Sequence, residues 1–275
     1  MRFEVTPVLL TTELEDTIRR CEIAGIRNAV ATTARLSPGL GAEAIEVCGG
    51  LVAFTGVESP MSQAVGVGTP GPAHRDDVEK IVSFYQSRST TPRVFVTPFS
   101  HPTLGRELSA AGFMPCEYEN IMASDDFGDR AQRDPRVVVA TDFQAWARAS
   151  VEAFMHPETP KPGDDLIACI IASSSGVWPL ELIEEDSIVA TAAMDLQEGC
   201  AGLFAGSVVP AFRGRGLHVA LINDRIARAR DGGASFMRAT ARPASPSERN
   251  FIRCGFTTLY TRALWERTLA DSDRA

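Results

Sequence analysis

The sequence predicts an α/β (α+β) protein made of two similar units, and three observations carry that reading. Apolar stretches of strand period and helix period alternate along the 275 residues. One polar, charged segment containing Gly and Pro, SDDFGDRAQRDPR at 124–136, interrupts them and marks a natural boundary. The two sides also echo each other. Strand RVFVTPF leads to Pro102 and a helix ending at Gly112-Phe113, with Tyr118 beyond; strand FMRATA leads to Pro246 and a helix ending at Gly255-Phe256, with Tyr260 beyond. Units spanning 1–125 and 136–270 are expected.

In the first unit, residues 11–35 read as a helix broken or bent near Gly25, and AIEVCGGLVAFTGV and SQAVGVG read as strands separated by a Ser-Pro turn. A helix follows over about 76–86, then strand RVFVTPF, a helix over about 102–111 and strand CEYENIMA. In the second unit, VVVA is a strand, TDFQAWARASVEAFM an amphipathic helix and LIACIIASS a further helix. VWPLELIEE, SIVATAAMDLQ and CAGLFAGSVV then form a three-stranded meander with turns at Asp186-Ser187 and Glu198-Gly199.

Composition narrows the function. With 44% hydrophobic residues and a net charge of -8, the chain can fill a core but offers no broad basic surface, so nucleic acid is not an expected partner. The acidic balance mildly favours a cationic substrate such as an amine. Cys21, Cys48, Cys116, Cys169, Cys200 and Cys254 are scattered without CxxC pairs or nearby histidines, which points to free thiols and to no metal site. No window reaches the apolar length of a membrane helix and the first residues turn acidic, so the expected location is the cytoplasm. Oligomeric state is not legible.

The chemistry concentrates at VVPAFRGRGLHV, residues 208–219. An apolar strand runs into Arg213-Gly214-Arg215-Gly216, which opens the helix Leu217 to Arg230. Glycines allow the backbone N–H groups to face outward, and the helix N-terminus adds unpaired donors and a positive dipole end. Arg213 and Arg215 add charge-assisted donors. The ligand implied is a diphosphate.

VVPAFRGRGLHVAL resembles the acetyl-CoA signature of the GNAT acyltransferase superfamily, R/Q-x-x-G-x-G/A preceded by a strand. Arg213 and Gly216 match it, and His218 stands where Gly or Ala is usual. ARPASPSERNFIRCGF resembles the family's final strand-helix unit. There Ser245, Pro246 and Glu248 form a capping box, and Asn250 is placed beside the pantetheine arm. The first unit repeats the elements without the loop, since TPGPAHRDD lacks the signature. The chain is thus similar to tandem GNAT proteins with a degenerate amino-terminal unit.

The resemblance implies two units, each a mixed, mostly antiparallel sheet flanked by helices, and acetyl-CoA as cosubstrate. It implies direct attack by a primary amine of a small molecule. Val208, Val209, Arg213, Gly214, Arg215, Gly216, Leu217, His218, Val219 and Asn250 would hold the coenzyme, the amides near Val208 and Val209 polarising the thioester oxygen. Candidates for the base are Glu181, Glu184, Asp195 and His156. Many members protonate the leaving thiolate with a tyrosine at the position of Phe251, so Tyr260 is considered as a substitute acid. Cys254 has no evident base to make it a nucleophile. Two other functions fit the pattern: a non-catalytic CoA-binding or regulatory module, and a transferase that takes an aminoacyl group from tRNA.

Overall fold

A computed structural model of the chain describes residues 8–128, 132–156, 158–160 and 164–268. Residues 129–131 of the expected boundary, and 157 and 161–163 of the loop after His156, lie outside them. The chain divides into two compact units. One comprises Glu15–Glu119 with the segment from Tyr260 onward; the other comprises the segment up to Leu14 with Asn120–Leu259. They are called here the first and the second unit.

The amino-terminal half of the chain forms α1 (Thr12–Leu36), β1 (Glu43–Val47), β2 (Gly50–Phe54), β3 (Ala64–Val65), α2 (Arg75–Gln86), β4 (Arg93–Val96), α3 (Pro102–Ala110) and β5 (Met114–Ser124). α1 runs through Gly25 without a break. Gly25 faces open space, where glycine costs only about 1 kcal/mol, less than the burial of Ile18, Cys21, Ala29 and Val30 returns. The long apolar run expected as one strand is a hairpin, because Cys48 (φ 46°) and Gly49 (φ 76°) fold back tightly between β1 and β2. Val78, Ile81, Val82 and Tyr85 of α2 pack with Leu104, Leu108 and Phe113 on one face of the sheet. Ile23 and Ile26 of α1 cover Leu51, Val65 and Phe95.

The carboxy-terminal half continues with β6 (Val137–Val139), α4 (Phe143–Met155), α5 (Asp165–Ser173), β7 (Val177–Glu184), β8 (Ser187–Gln197), β9 (Cys200–Val208), α6 (Leu217–Asp231), β10 (Phe236–Ala241), α7 (Pro246–Arg253) and β11 (Thr257–Glu266). The turn before β8 uses Glu185 and Asp186, both at positive φ. Leu217, Leu221, Ile222 and Ile226 of α6 and Phe251 and Phe256 pack with Leu180, Leu182, Met194 and Leu203. On the other face Trp146, Ala147, Val151, Ala168 and Cys169 pack with Ala193 and Phe204, and Trp146 Nε1 donates to the Leu180 carbonyl at 2.8 Å.

Both units have a mixed, mostly antiparallel sheet. In the first the order is β1-β2-β3-β4-β11, with β3 and β4 parallel; in the second it is β5-β10-β9-β8-β7-β6, with β9 and β10 parallel. Each unit therefore ends on a strand drawn from the other half of the sequence. Asn120–Ser124 pairs with β10, and Ala263–Glu266 pairs with β4. Buried Arg262 fastens the incoming strand in the first unit, bonding Glu119 at 2.9 Å and Glu22 at 2.5 Å with its guanidinium over Phe95. This exchange is why the compact units do not coincide with 1–125 and 136–270.

The repeated helix ends share one geometry. Gly112 (φ 84°) and Gly255 (φ 91°) take the left-handed conformation, and the N–H groups of Phe113 and Phe256 reach back five residues to the Leu108 and Phe251 carbonyls at 3.0 Å each. Both phenylalanines are buried. Among the described residues no helix is long and apolar enough to cross a membrane, and no group of His, Cys, Asp or Glu is placed to hold a metal ion.

Candidate functional site

A cleft of about 830 Å³ opens in the second unit, lined by Gly206, Ser207 and Val208 of β9, the loop 212–216, the first turn of α6, Asn250 and Arg253 of α7, and Ala153 to His156 at the end of α4. Its existence follows from the strands. The parallel ladder joins Cys200–Leu203 to Phe236–Ala239 and stops, while β9 continues to Val208. Phe204–Val208 thus present a backbone edge that β10 does not take up.

The loop 212–216 closes one end. Gly214 (φ 80°) and Gly216 (φ 78°) adopt the left-handed conformation that side chains resist, and a Cβ at either would meet nothing within 4 Å, so this side of the loop is open. Gly216 is the N-cap of α6 and contributes no capping side chain. The first helical bond runs from the Ala220 N–H to the Gly216 carbonyl, so the N–H groups of Leu217, His218 and Val219 precede the ladder. No acid lies in this first turn. The geometry fits a diphosphate.

The two arginines are held differently. Arg213 donates to the carbonyls of Val208 at 3.2 Å and Ala153 at 2.8 Å, tying the loop to β9 and α4. Arg215 lies over the Phe212 ring and 3.7 Å from Glu184. The Arg213 guanidinium is thus engaged in building the loop, while the Arg215 side chain remains exposed. Val209 differs from expectation: its N–H bonds the Val189 carbonyl at 3.0 Å and is not free to polarise a ligand. Val208 stays on the cleft wall.

His218 turns inward. A Cβ on Gly206 would sit 2.9 Å from His218 Nε2, so the glycine of β9 makes room for the imidazole. The ring stands edge-on to Phe251, and its Nδ1 lies 3.0 Å from Asn250 Nδ2. Arg253 Nη1 donates to Asn250 Oδ1 at 3.2 Å, which leaves the Asn250 amide to donate to Nδ1 and the ring proton on Nε2. Burial, with Arg225 nearby, pushes the His218 pKa down to about 4, so the ring is neutral near pH 7.

Of the proposed carboxylate bases, Glu181 lies nearest the cleft by register. It sits opposite Thr191, which sits opposite Ser207, so the three share one sheet face in a row ending at the cleft wall. Thr191 and Ser207 are buried and their hydroxyls are 2.8 Å apart. Glu181 Oε2 is buried with no hydrogen-bond partner, and desolvation followed by Asp142 raises its pKa above the usual 4.5. Glu184 is instead an ion-pair residue, accepting from Arg136 at 2.6 Å. Asp195 sits toward the far end of β8, buried, where it accepts from the Gly202 N–H and Gln197.

His156 is exposed at the end of α4 and lines the cleft. Tyr260 belongs to the first unit, its ring against Phe99 at 5.3 Å, and does not line the cleft as an acid would. Burial pushes the Cys254 thiol up to about 11, which removes it as a nucleophile. Ser245 Oγ accepts from the Glu248 N–H at 3.1 Å, and Glu248 accepts from the Ala244 N–H and Asn120, so both cap α7. The Thr191–Ser207 pair was missed in the sequence. Only the register of β7, β8 and β9 places it beside Glu181.

Comparison with known proteins agrees with this geometry. The family model described as acetyltransferase (GNAT) family matches residues 143–256. A GCN5-related N-acetyltransferase from Kribbella flavida superposes with a TM-score of 0.62 at 16% identity, covering 88% of this chain and 96% of that one. One from Sphaerobacter thermophilus gives 0.56 at 17%, covering 78% and 75%. A tandem GNAT protein from the clavulanic acid biosynthesis pathway gives 0.53 at 12%, covering 81% and 79%. Among curated proteins there is no significant match. Residues 143–256 therefore match the model of the GNAT acetyltransferase family, within a chain that has the fold of GNAT N-acetyltransferases over most of its length.

Proposed function

We infer that the second unit transfers an acetyl group from acetyl-CoA to a primary amine of a small molecule by direct attack, and that the first unit is a degenerate copy without a coenzyme site. One observation carries this reading: an uncapped, acid-free helix N-terminus opens into the cleft left where β9 outruns its parallel pairing with β10. The first offers donors for a diphosphate; the second offers a backbone edge for an extended, amide-containing arm.

The coenzyme supplies an activated thioester. The N–H groups of Leu217, His218 and Val219 would hold its diphosphate, and the edge at Phe204–Val208 would align its arm. An amine that is protonated near neutral pH must lose a proton before attack. Glu181 is suited to accept it, since burial has made its carboxylate more basic, with the Thr191 and Ser207 hydroxyls lying between it and the cleft. Exposed His156 borders the side from which an acceptor would enter.

Calorimetric titration with acetyl-CoA tests the coenzyme half of the reading, and thiol release against a panel of amines tests the rest. Saturable binding with turnover on at least one amine is expected. Binding without turnover on any amine favours a regulatory CoA-binding module, and no binding sinks the reading.

A further inference from the structure

Behind β9 lies a cation that the reaction outlined above does not use. Arg225 of α6 is fully buried, and no carboxylate bonds its guanidinium. Nε donates to the Leu221 carbonyl at 3.0 Å, and Nη1 to the carbonyls of Ala193 and Phe204 at 3.2 Å each. Nη2 has no partner. The adjacent acid, Asp224, is engaged by Arg228 and by the Asp134 N–H. Holding a cation this way is expensive, and burial brings its pKa down to about 10. An apolar side chain of equal length would fill the space without that cost, so the position of the charge is informative.

The two carbonyls on Nη1 belong to a bulge. Between the pairs Thr191–Ser207 and Ala193–Phe204, β8 has one residue and β9 has two, Ala205 and Gly206. Ala205 is held at φ 50°, in the left-handed region that an alanine resists. The guanidinium thus clamps the point at which β9 bends. Its free Nη2 and the His218 Nε2–H both point at the missing side chain of Gly206, whose Cβ would lie 3.4 Å from the one and 2.9 Å from the other. Gly206 and His218 line the cleft.

We propose that Arg225 is a positioning residue for acyl transfer: it clamps the β9 bulge through the Ala193 and Phe204 carbonyls. With the His218 Nε2–H, it also sets a cation and a neutral donor behind Gly206, where they stabilise negative charge arising on the bound thioester and on the sulfur that leaves. The inference rests on the acyl-CoA reading. It adds a charge buried in the wall to the donors of the backbone edge.

The test uses the full chain with Arg225→Met, which keeps length and loses charge, and Arg225→Lys, which keeps charge and loses the fork. Three quantities are measured: CoA affinity by calorimetry, kcat and KM, and the pKa of the thiol of bound CoA from the ultraviolet absorbance of the thiolate. Expected for Arg225→Met are affinity and KM within about threefold of wild type, kcat down about 30-fold, and the thiol pKa up by about one unit. Arg225→Lys should restore the thiol pKa while leaving kcat about tenfold low. An unchanged kcat and thiol pKa in Arg225→Met overturns the proposal. If that variant does not fold, a bound thiol in Arg225→Lys as basic as that of free CoA overturns it equally. Failure of the wild type to bind CoA at all sinks the acyl-CoA reading instead.

Discussion

The two units place a helix after the first strand of a parallel pair, α2 after β3 and α6 after β9, and finish the two helix N-termini in opposite ways. At α2 the His74 N–H donates to Asp77 Oδ2 at 2.9 Å, Asp76 and Asp77 put negative charge in the first turn, and the preceding Ala73 N–H bonds Thr103 Oγ1 at 2.8 Å. At α6 a glycine in the left-handed conformation stands at the cap and the first turn carries no acid. The first end supplies its own anion, and the second leaves the place open for a ligand. The contrast is between a cap that the chain completes and one that it leaves open, and it turns on little more than a carboxylate at the third helical position.

That contrast can be broken most severely at the open end. Gly216→Val puts a β-branched residue at a left-handed φ and disturbs the donors beside it. A loss of about 4 kcal/mol, roughly a thousandfold in acetyl-CoA affinity, is expected by calorimetry, against a smaller loss of stability of about 1–2 kcal/mol from the strained backbone. Retained binding would mean that the helix N-terminus is not the diphosphate site.

Next in size is Glu181→Gln, expected to lower kcat/KM about a hundredfold while leaving acetyl-CoA affinity unchanged. Because the Glu181 pKa is raised, its basic form is lost at higher pH than for an ordinary glutamate, so the wild-type rate should climb as pH rises through that raised value. A pH–rate profile of the variant should lack this acidic limb. An unchanged limb would exclude Glu181 as the base.

A third measurement concerns His218. Its folded-state pKa is about 4 against an unfolded value near 6.5, so the contribution to stability is whole above 6.5 and declines as pH falls toward 4. The decline amounts to at most about 3 kcal/mol, less where solvent reaches the ring. Denaturant unfolding at several pH values should show it, and His218→Gln should flatten it. The smallest effect is expected at the closed end, where Asp77→Ala should cost about 1 kcal/mol by thermal melting and leave coenzyme affinity untouched. A second coenzyme site appearing in that variant would show that the cap alone keeps α2 shut.

The periodic elements were legible because local pattern decides them. The meander, the α6 loop and the Gly-Phe helix ends follow from strand alternation, glycine placement and capping chemistry that neighbouring residues supply. What local pattern does not contain is register. It could not show that Glu184 is taken by Arg136 and Arg215, that Val209 is tied to Val189, or that Thr191 and Ser207 stand beside Glu181, since each depends on which strand lies next. His218 shows the same limit. The signature shows only that His218 stands where Gly or Ala is usual; that Gly206, on a different element, makes room for its ring is visible only in the fold.

Strand exchange bears on how the chain comes to be folded at all. The sheet of the second unit lacks its outer member until Asn120–Ser124 meets Met237–Ala241, roughly a hundred residues later in synthesis, and the first unit waits still longer for Ala263–Glu266. A nascent chain stopped at the 124–136 segment, or a fragment cut there, would expose an unpaired strand edge. Separately expressed halves should aggregate alone and recover activity only when mixed. Each sheet is thus completed only by residues far apart in the sequence, so neither half of the chain carries all the strands of one unit.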